Sequence, residues 1–441
     1  MKLKFVVFIG VIFLLITCKN DDDVVIPEFL GELTQSITLG GSSNESLNAI
    51  TKTSDGGFVA CGSVQSTDAL GLELPNGEND YLIVKYDANF NLTWTKTYGG
   101  SSTELAKSIV QTTDGGYVVS GFTKSDDFDV AENNGQKDLW ILKLTSSGDI
   151  QWKKSFGFSG QDESFSIIQT QDGGFFTCGY LDVTASGGLG NDDASKNANH
   201  GIGDYWGLKL DANGDYEWRR YFGGSNNDRA TSALETNNGD FILTGSADSN
   251  DFDVTGSNGN DDIWVIRISS TGELLWESAF GGSQIEDSFK VIATNDGNYF
   301  VLGTTISTDN DISNNFGGTD IWLLKISPEG NLIWEKSYGG NQLDKATSII
   351  ALQDGNYMIS GHTRSDDVFE IKGQNDVLLI KINNDGSVLN SYTYGGSNID
   401  VAYDLIETDQ NSIIIVGSTQ SDDFDITEFN GFTDALIMEI K

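Results

Sequence analysis

Short apolar runs separated by glycine- and acid-rich breaks repeat along the whole chain. In one stretch, Ser108-Ile109-Val110 is followed by Asp114-Gly115-Gly116, Tyr117-Val118-Val119, a longer polar segment, Leu139-Trp140-Ile141-Leu142-Lys143-Leu144, a break at Ser147-Gly148, and Ile150-Gln151-Trp152. Runs of this length between turn residues predict strands, and Asp-Gly or Asn-Gly breaks supply the positive φ of tight hairpins. Such breaks recur at Asp55-Gly56, Asp172-Gly173, Asn238-Gly239, Asp296-Gly297 and Asp354-Gly355. Each period therefore predicts four antiparallel strands.

The periods align on a Gly-Gly pair: Gly40-Gly41, Gly99-Gly100, Gly223-Gly224, Gly281-Gly282, Gly339-Gly340 and Gly395-Gly396, with a degenerate copy at Gly157-Phe158. Seven units result. Each carries an acid near its entrance (Glu45, Glu104, Asp162, Asp228, Glu286, Asp344, Asp400), and 17 residues later always a glycine (Gly62, Gly121, Gly179, Gly245, Gly303, Gly361, Gly417). A second marker, Asp80, Asp138, Asp204, Asp262, Asp320, Asp376 or Asp434, precedes the third apolar run, and for the first six the next entrance acid lies 24 residues on. All length variation falls between the glycine and this marker, which defines one variable loop per unit.

Four-stranded units repeated radially describe a β-propeller, whose rival is a linear solenoid. The last unit stops at Lys441 after three strands, while residues 32–39 match the fourth-strand pattern of residues 91–98. The expected fold is an all-β, seven-bladed propeller whose N-terminal strand completes the C-terminal blade, leaving no open blade. First strands carry small residues near their start (Ala106, Ser108, Ala230, Ser232), whereas fourth strands carry Trp94, Trp152, Trp218, Trp276 and Trp334. Bulk outside and small residues inside suit converging blades. Trp140, Trp206, Trp264 and Trp322 are expected between blades.

The Gly-Gly-Ser entrance, Asp-Gly-Gly turn, strand glycine and Asp-x-Trp marker resemble the seven-bladed β-propeller repeats of bacterial secreted and surface proteins. The resemblance covers residues 31–441 and implies a fold and an extracellular address, with no catalytic residues to carry over. Residues 209–218 are also similar to a quinoprotein repeat, but that family has eight blades and often adjacent cysteines at its cofactor.

The N-terminus reads as an address. Lys2 and Lys4 precede an apolar run from Phe5 to Ile16, too short to span a bilayer and suited to a signal segment. Leu15-Ile16-Thr17-Cys18 resembles a bacterial lipobox, which implies removal of residues 1–17 and a lipid on Cys18. An ordinary cleaved signal is the alternative. Lys19-Asn20-Asp21-Asp22-Asp23 resembles the acidic tag that sends lipoproteins of some Gram-negative bacteria to the outer face of the outer membrane, and otherwise reads as a solvated linker over residues 18–30. Cys61 and Cys178 fall in non-neighbouring units and read as small buried fillers rather than a disulfide.

Charge excludes one partner class. With 65 Asp and Glu against 26 Lys and Arg, the formal net charge is −39, which disfavours nucleic acid. Strand alternation puts entrance turns and variable loops on one face, and tight turns on the other; function belongs on the loop face. Its carboxylates, Asp127, Asp129 and Asp138, with Asp251, Asp253 and Asp262, and Asp423, Asp425 and Asp434, offer candidate calcium ligands, since calcium takes ~6–8 oxygens. Turn formation and solubility are the alternative reading of the same residues. The entrance acids are expected to cap the Gly-Gly turns. Only His200 and His362 are present, in different units, so a His triad or multi-His zinc site is not expected. His200 lies in the longest loop, which reads as a mobile excursion. The expectation is a non-catalytic surface module for a glycan or an envelope protein; a glycan-degrading enzyme using face carboxylates is the alternative.

Overall fold

The computed structural model describes residues 29–69, 71–193 and 200–441. The signal segment, Cys18 and the linker as far as residue 28 lie outside the described residues. Seven four-stranded antiparallel sheets are present, and in six of them the strands follow in sequence order. In the seventh, Leu33–Leu39 pairs antiparallel with Asp434–Ile440 from Leu33↔Ile440 to Leu39↔Ala435. The Glu32 amide donates to the Lys441 carbonyl and the Lys441 amide to that of Glu32, both at 2.8 Å. The chain is a seven-bladed β-propeller closed by its own N-terminal strand. The one helical turn among the described residues is Val183–Ser186, capped by the Asp182 carboxylate, and none of their helices is long and apolar enough to cross a membrane.

Position within a blade sets each strand's sequence. The second and third strands are buried at every residue, as in Tyr117–Thr123 and Asp138–Leu144, or at all but one, as in Phe241–Ala247 and Asp262–Ile268, because neighbouring blades cover both faces. Hence their near-continuous apolar runs. Innermost strands alternate buried and half-buried positions. Outermost strands are half-exposed.

A lysine interrupts those apolar runs for a reason at the tight-turn end. Lys143, almost wholly buried, reaches Asp114 of the preceding Asp-Gly-Gly turn at 2.9 Å; Lys85–Asp55 (3.0 Å), Lys209–Asp172 (2.9 Å), Lys325–Asp296 (2.7 Å) and Arg267–Asp240 (2.8 Å) repeat the pair. The turn aspartates are partly solvated, and hydrogen bonds from Thr and Lys outweigh their desolvation to bring Asp55, Asp114 and Asp172 down to about 2.

Aromatic rings join the blades. Trp140, Trp206, Trp264 and Trp322 are fully buried. Tyr81 packs at a tilt with its ring 4.7 Å from that of Trp140, and Tyr205 meets Trp264 edge-on at 4.7 Å, each tyrosine hydroxyl donating to the tryptophan carbonyl of the next blade. The outer Trp218 and Trp276 indole N–H groups donate to the Ser270 and Pro328 carbonyls of the following blade. Cys61 and Cys178 are buried free thiols.

Every innermost strand carries one extra residue against its neighbour, between Leu47 and Ala49 in the first blade and at the equivalent place in the other six. This bulge pushes the preceding carbonyl toward the second strand. The invariant strand glycine lies opposite: a Cβ on Gly62, Gly121, Gly179, Gly245 or Gly417 would sit 1.8–1.9 Å from that oxygen.

Candidate functional site

The loop face is built from seven equivalent junctions, each between one blade's marker Asp and the next blade's entrance acid. At the first junction the Glu104 carboxylate caps the Gly-Gly turn, accepting the Gly100 amide at 2.7 Å and, through its other oxygen, the Thr123 hydroxyl at 2.7 Å. Asp228, Glu286, Asp344 and Asp400 accept the equivalent glycine amide at 2.7 Å, Glu45 at 2.9 Å, and in the degenerate unit Asp162 takes the Phe158 amide at 2.6 Å. Entrance acids therefore cap turns, as the sequence led us to expect.

One oxygen of six of the seven markers is engaged in the same way, Asp204 being the exception. Asp138, Asp262 and Asp434 accept the backbone N–H four residues upstream, from Asn134 (2.8 Å), Asn258 (2.6 Å) and Asn430 (2.9 Å). The other oxygen, Oδ1, is buried without a hydrogen-bond donor among the described residues at all seven markers. It faces the next entrance acid: a Cβ at Gly99 would lie 2.5 Å from Asp80 Oδ1 and 2.7 Å from Glu104 Oε2, which is why glycine stands there. Burial first, then the neighbouring acids, push Asp80, Asp262 and Asp320 up to about 6.

His200 belongs to this framework. Its Nδ1 lies 2.6 Å from Asp204 Oδ2, and its buried ring stacks on Phe252 and meets Tyr221 edge-on. It sits four residues before the marker, so the imidazole replaces the backbone donor of the other junctions. The expected mobile excursion is thus tied down at its end. Burial disfavours the imidazolium, but Asp204, Asp253 and Asp228 outweigh it and raise its pKa. His362, beside Lys345 and Arg364, is lowered to about 4, chiefly by burial.

The variable loops fold back onto the entrance turn of their own blade. Asp127, Asp251 and Asp423 accept the amides of Ser101, Ser225 and Ser397 at 2.7 Å, and the Asp129, Asp253 and Asp425 amides donate to the carbonyls of Gly99, Gly223 and Gly395. Asp425 also pairs with Lys372. Asp127 and Asp129 consequently gather with Asp80 of the preceding blade, not with Asp138, which lies at the next junction beside Asp162. Linear spacing could not reveal this, because each marker opens the third strand of its own blade while its carboxylate lies against the entrance turn of the following one. Among the described residues no three His, Cys, Asp or Glu side chains are arranged to hold a metal ion.

Between the paired aspartates stands Phe128, Phe252 or Phe424, with φ of 50°, 54° and 54° and 68%, 54% and 68% exposed. A bulky residue in the left-handed region is unusual. Capping of the turn by the preceding Asp holds it there. Nearer the axis, a cavity of about 590 Å³ opens among blades seven, one and two, with Ser46, Ser63, Tyr403 and Ser418 in its wall.

No protein-family model matches the chain, and no curated protein resembles it in sequence. Solved structures do resemble it: a protein of unknown function from Bacteroides caccae (12% identity, 71% of this chain and 90% of that one, TM-score 0.40), Sqt1 from Chaetomium thermophilum (10%, 88% and 82%, 0.44) and YCF48 bound to D1 peptide (10%, 94% and 97%, 0.47). At such identities the likeness concerns the fold alone.

Proposed function

We propose that this protein is a non-catalytic binding module that takes a glycan on its loop face, held at the outer membrane by a lipid on Cys18 with that face toward the exterior. One observation carries the reading: the carboxylates repeated in every blade are engaged in holding turns, while the residues that depart from the framework at the loop tips are exposed aromatic rings. Phe128, Phe252 and Phe424 share one structural position in blades two, four and seven, and a fixed, exposed ring is the surface on which a sugar face stacks with little loss of side-chain freedom. Neighbouring Asp and Asn side chains supply acceptors and donors for hydroxyls.

The test is a glycan array probed with the full chain and with Phe128→Ala/Phe252→Ala/Phe424→Ala. Binding weakened at least about tenfold in the triple variant, with a melting curve showing that the variant, which also loses the Phe252–His200 stack, is still folded, supports the reading. A silent array together with an envelope protein captured by crosslinking would replace the glycan by a protein partner. Turnover of a polysaccharide, abolished by one carboxylate change, would make the protein an enzyme.

A further inference from the structure

The seven blades are alike in backbone but not at the rim of the central channel. The second residue of each innermost strand faces the second strand across one rung: Leu105 with Phe122, Glu163 with Tyr180, Lys345 with His362, Arg229 with Ser246 and Asp287 with Thr304, but Ser46 with Ser63 and Val401 with Ser418, the two pairs in which neither partner is a long or charged side chain. Large side chains fill the rim over blades two, three and six. Between blades seven and one they are missing, and the cavity of about 590 Å³ is the space they leave.

Its wall is chemically uniform. The residues before the marker (Asn79, Thr433) and before the entrance acid (Asn44, Thr103) are uncharged and polar here, as they are in some other blades (Asn375 and Thr319, Asn227 and Gln161) but not in all, since Lys137, Asp261, Ile285, Leu343 and Ile399 stand at the same places elsewhere. No Lys or Arg lines it. Of its two acids, Glu45 is buried and engaged by the Gly41, Gln65 and Ser66 amides, leaving Glu78 exposed at the edge. Asn79 Oδ1 is a buried acceptor without a donor, and its backbone is fixed by hydrogen bonds to Ser102 and Glu104. Tyr403 stands on the bulge deeper in the channel and accepts a hydrogen bond from Ser418 at 3.3 Å.

From this we infer that the cavity is a subsite for one neutral, polyhydroxylated unit, a pyranose or a polyol of that size. The inference rests on the glycan reading above and gives it a second, axial contact. Hydroxyls and amides that both donate and accept match a ligand bearing several hydroxyls, and the volume lies within the ~300–1,000 Å³ of small-molecule sites. A chain of net charge −39 with no cation in this wall repels a carboxylated sugar.

The test uses the full chain and the methyl glycosides of glucose, galactose, mannose and N-acetylglucosamine, with glucuronate as the anionic control, read by saturation-transfer NMR titration. Ser63→Phe copies what blade two already carries as Phe122 opposite Leu105, so it should fold, with a melting curve as the check. Expected are saturable binding of at least one methyl glycoside, at least tenfold weaker binding in Ser63→Phe, unchanged binding in the triple Phe variant, and no tighter binding of glucuronate. Unchanged affinity in folded Ser63→Phe, tighter glucuronate binding, or silence of all four methyl glycosides overturns the subsite. Glycan-array binding that survives Ser63→Phe but not the triple Phe change sinks the subsite and leaves the wider reading standing; a silent array sinks the wider reading.

Discussion

Gly245→Ala, the addition of one methyl group, is expected to destabilise the propeller by about 4 kcal/mol or more, seen as a melting temperature lowered by roughly 5 °C or more, or as failure to accumulate folded protein. The added Cβ would sit 1.8 Å from the Arg229 carbonyl oxygen and 2.8 Å from the Tyr205 hydroxyl. Neither neighbour can retreat. The carbonyl is thrust out by the bulge between Ala230 and Ser232, and the Tyr205 hydroxyl is tied to the Trp264 carbonyl at 2.8 Å across the blade interface. Gly297→Ala is the contrast. That glycine has φ of 82° and nothing within 4 Å of its would-be Cβ, so only backbone strain of about 1 kcal/mol is added. If the two variants melted alike, close approach would not be what the strand glycine serves.

Mild acid should stabilise this protein rather than unfold it, with the melting temperature rising by roughly 5 °C between pH 7.5 and pH 5 and falling again below about pH 4. Burial lifts Asp80, Asp204, Asp262, Asp320, Asp376 and Asp434 to about 6, and Asp162 and Asp228 to about 7. A carboxyl whose folded pKa exceeds its unfolded one binds a proton more tightly when folded. Its contribution is full below about pH 4 and is lost as pH rises through 6 to 7. The turn aspartates act the other way: Asp55, Asp114 and Asp172, held near 2, lose their contribution as pH falls from 4 toward 2. The optimum therefore lies near pH 4–5. Protonated Asp80 Oδ1, the oxygen without a donor, could itself donate to Glu104, and Asp80→Asn should remove one junction's share of the pH dependence. A melting temperature that falls steadily from pH 7.5 to 5 would show these carboxylates ionised in the fold. Raised stability in calcium at pH 7.5 but not at pH 5 would assign the junctions to a cation instead.

The repeat arithmetic made the fold legible because a closed ring obliges every blade to keep the same turn caps and close approaches, and each such obligation leaves a residue at fixed spacing. Blade number, the closing strand and the turn-capping role of Glu104 and its equivalents were readable for that reason. What stayed hidden depends on meetings between distant segments. Lys143 stood visibly inside an apolar run, yet nothing in the order of residues tied it to Asp114. Asp127 looked like a companion of Asp138 until the ring placed it beside Asp80. His200 was hidden because its side chain does what a backbone N–H does elsewhere. The cavity was hardest to see, since its signal is a serine at position 63 where another blade has phenylalanine, a departure that means nothing until the rim is assembled. Comparing the seven units column by column for missing bulk would have flagged it.

The closing strand also fixes how the molecule bears load. Leu33–Leu39 runs from the tight-turn face, where it meets Ile440, to the loop face, where it delivers the chain to Gly40. Whatever is attached ahead of Phe29 pulls from the side opposite the loops. Tension between a ligand on the loops and an anchor at the N-terminus thus runs along the strand axis, so the rungs to Asp434–Ile440 share the force in shear instead of opening one after another. Closing the ring with the N-terminal strand means that an N-terminal anchor, as proposed above, would load the seam that joins first blade to last along its strongest direction.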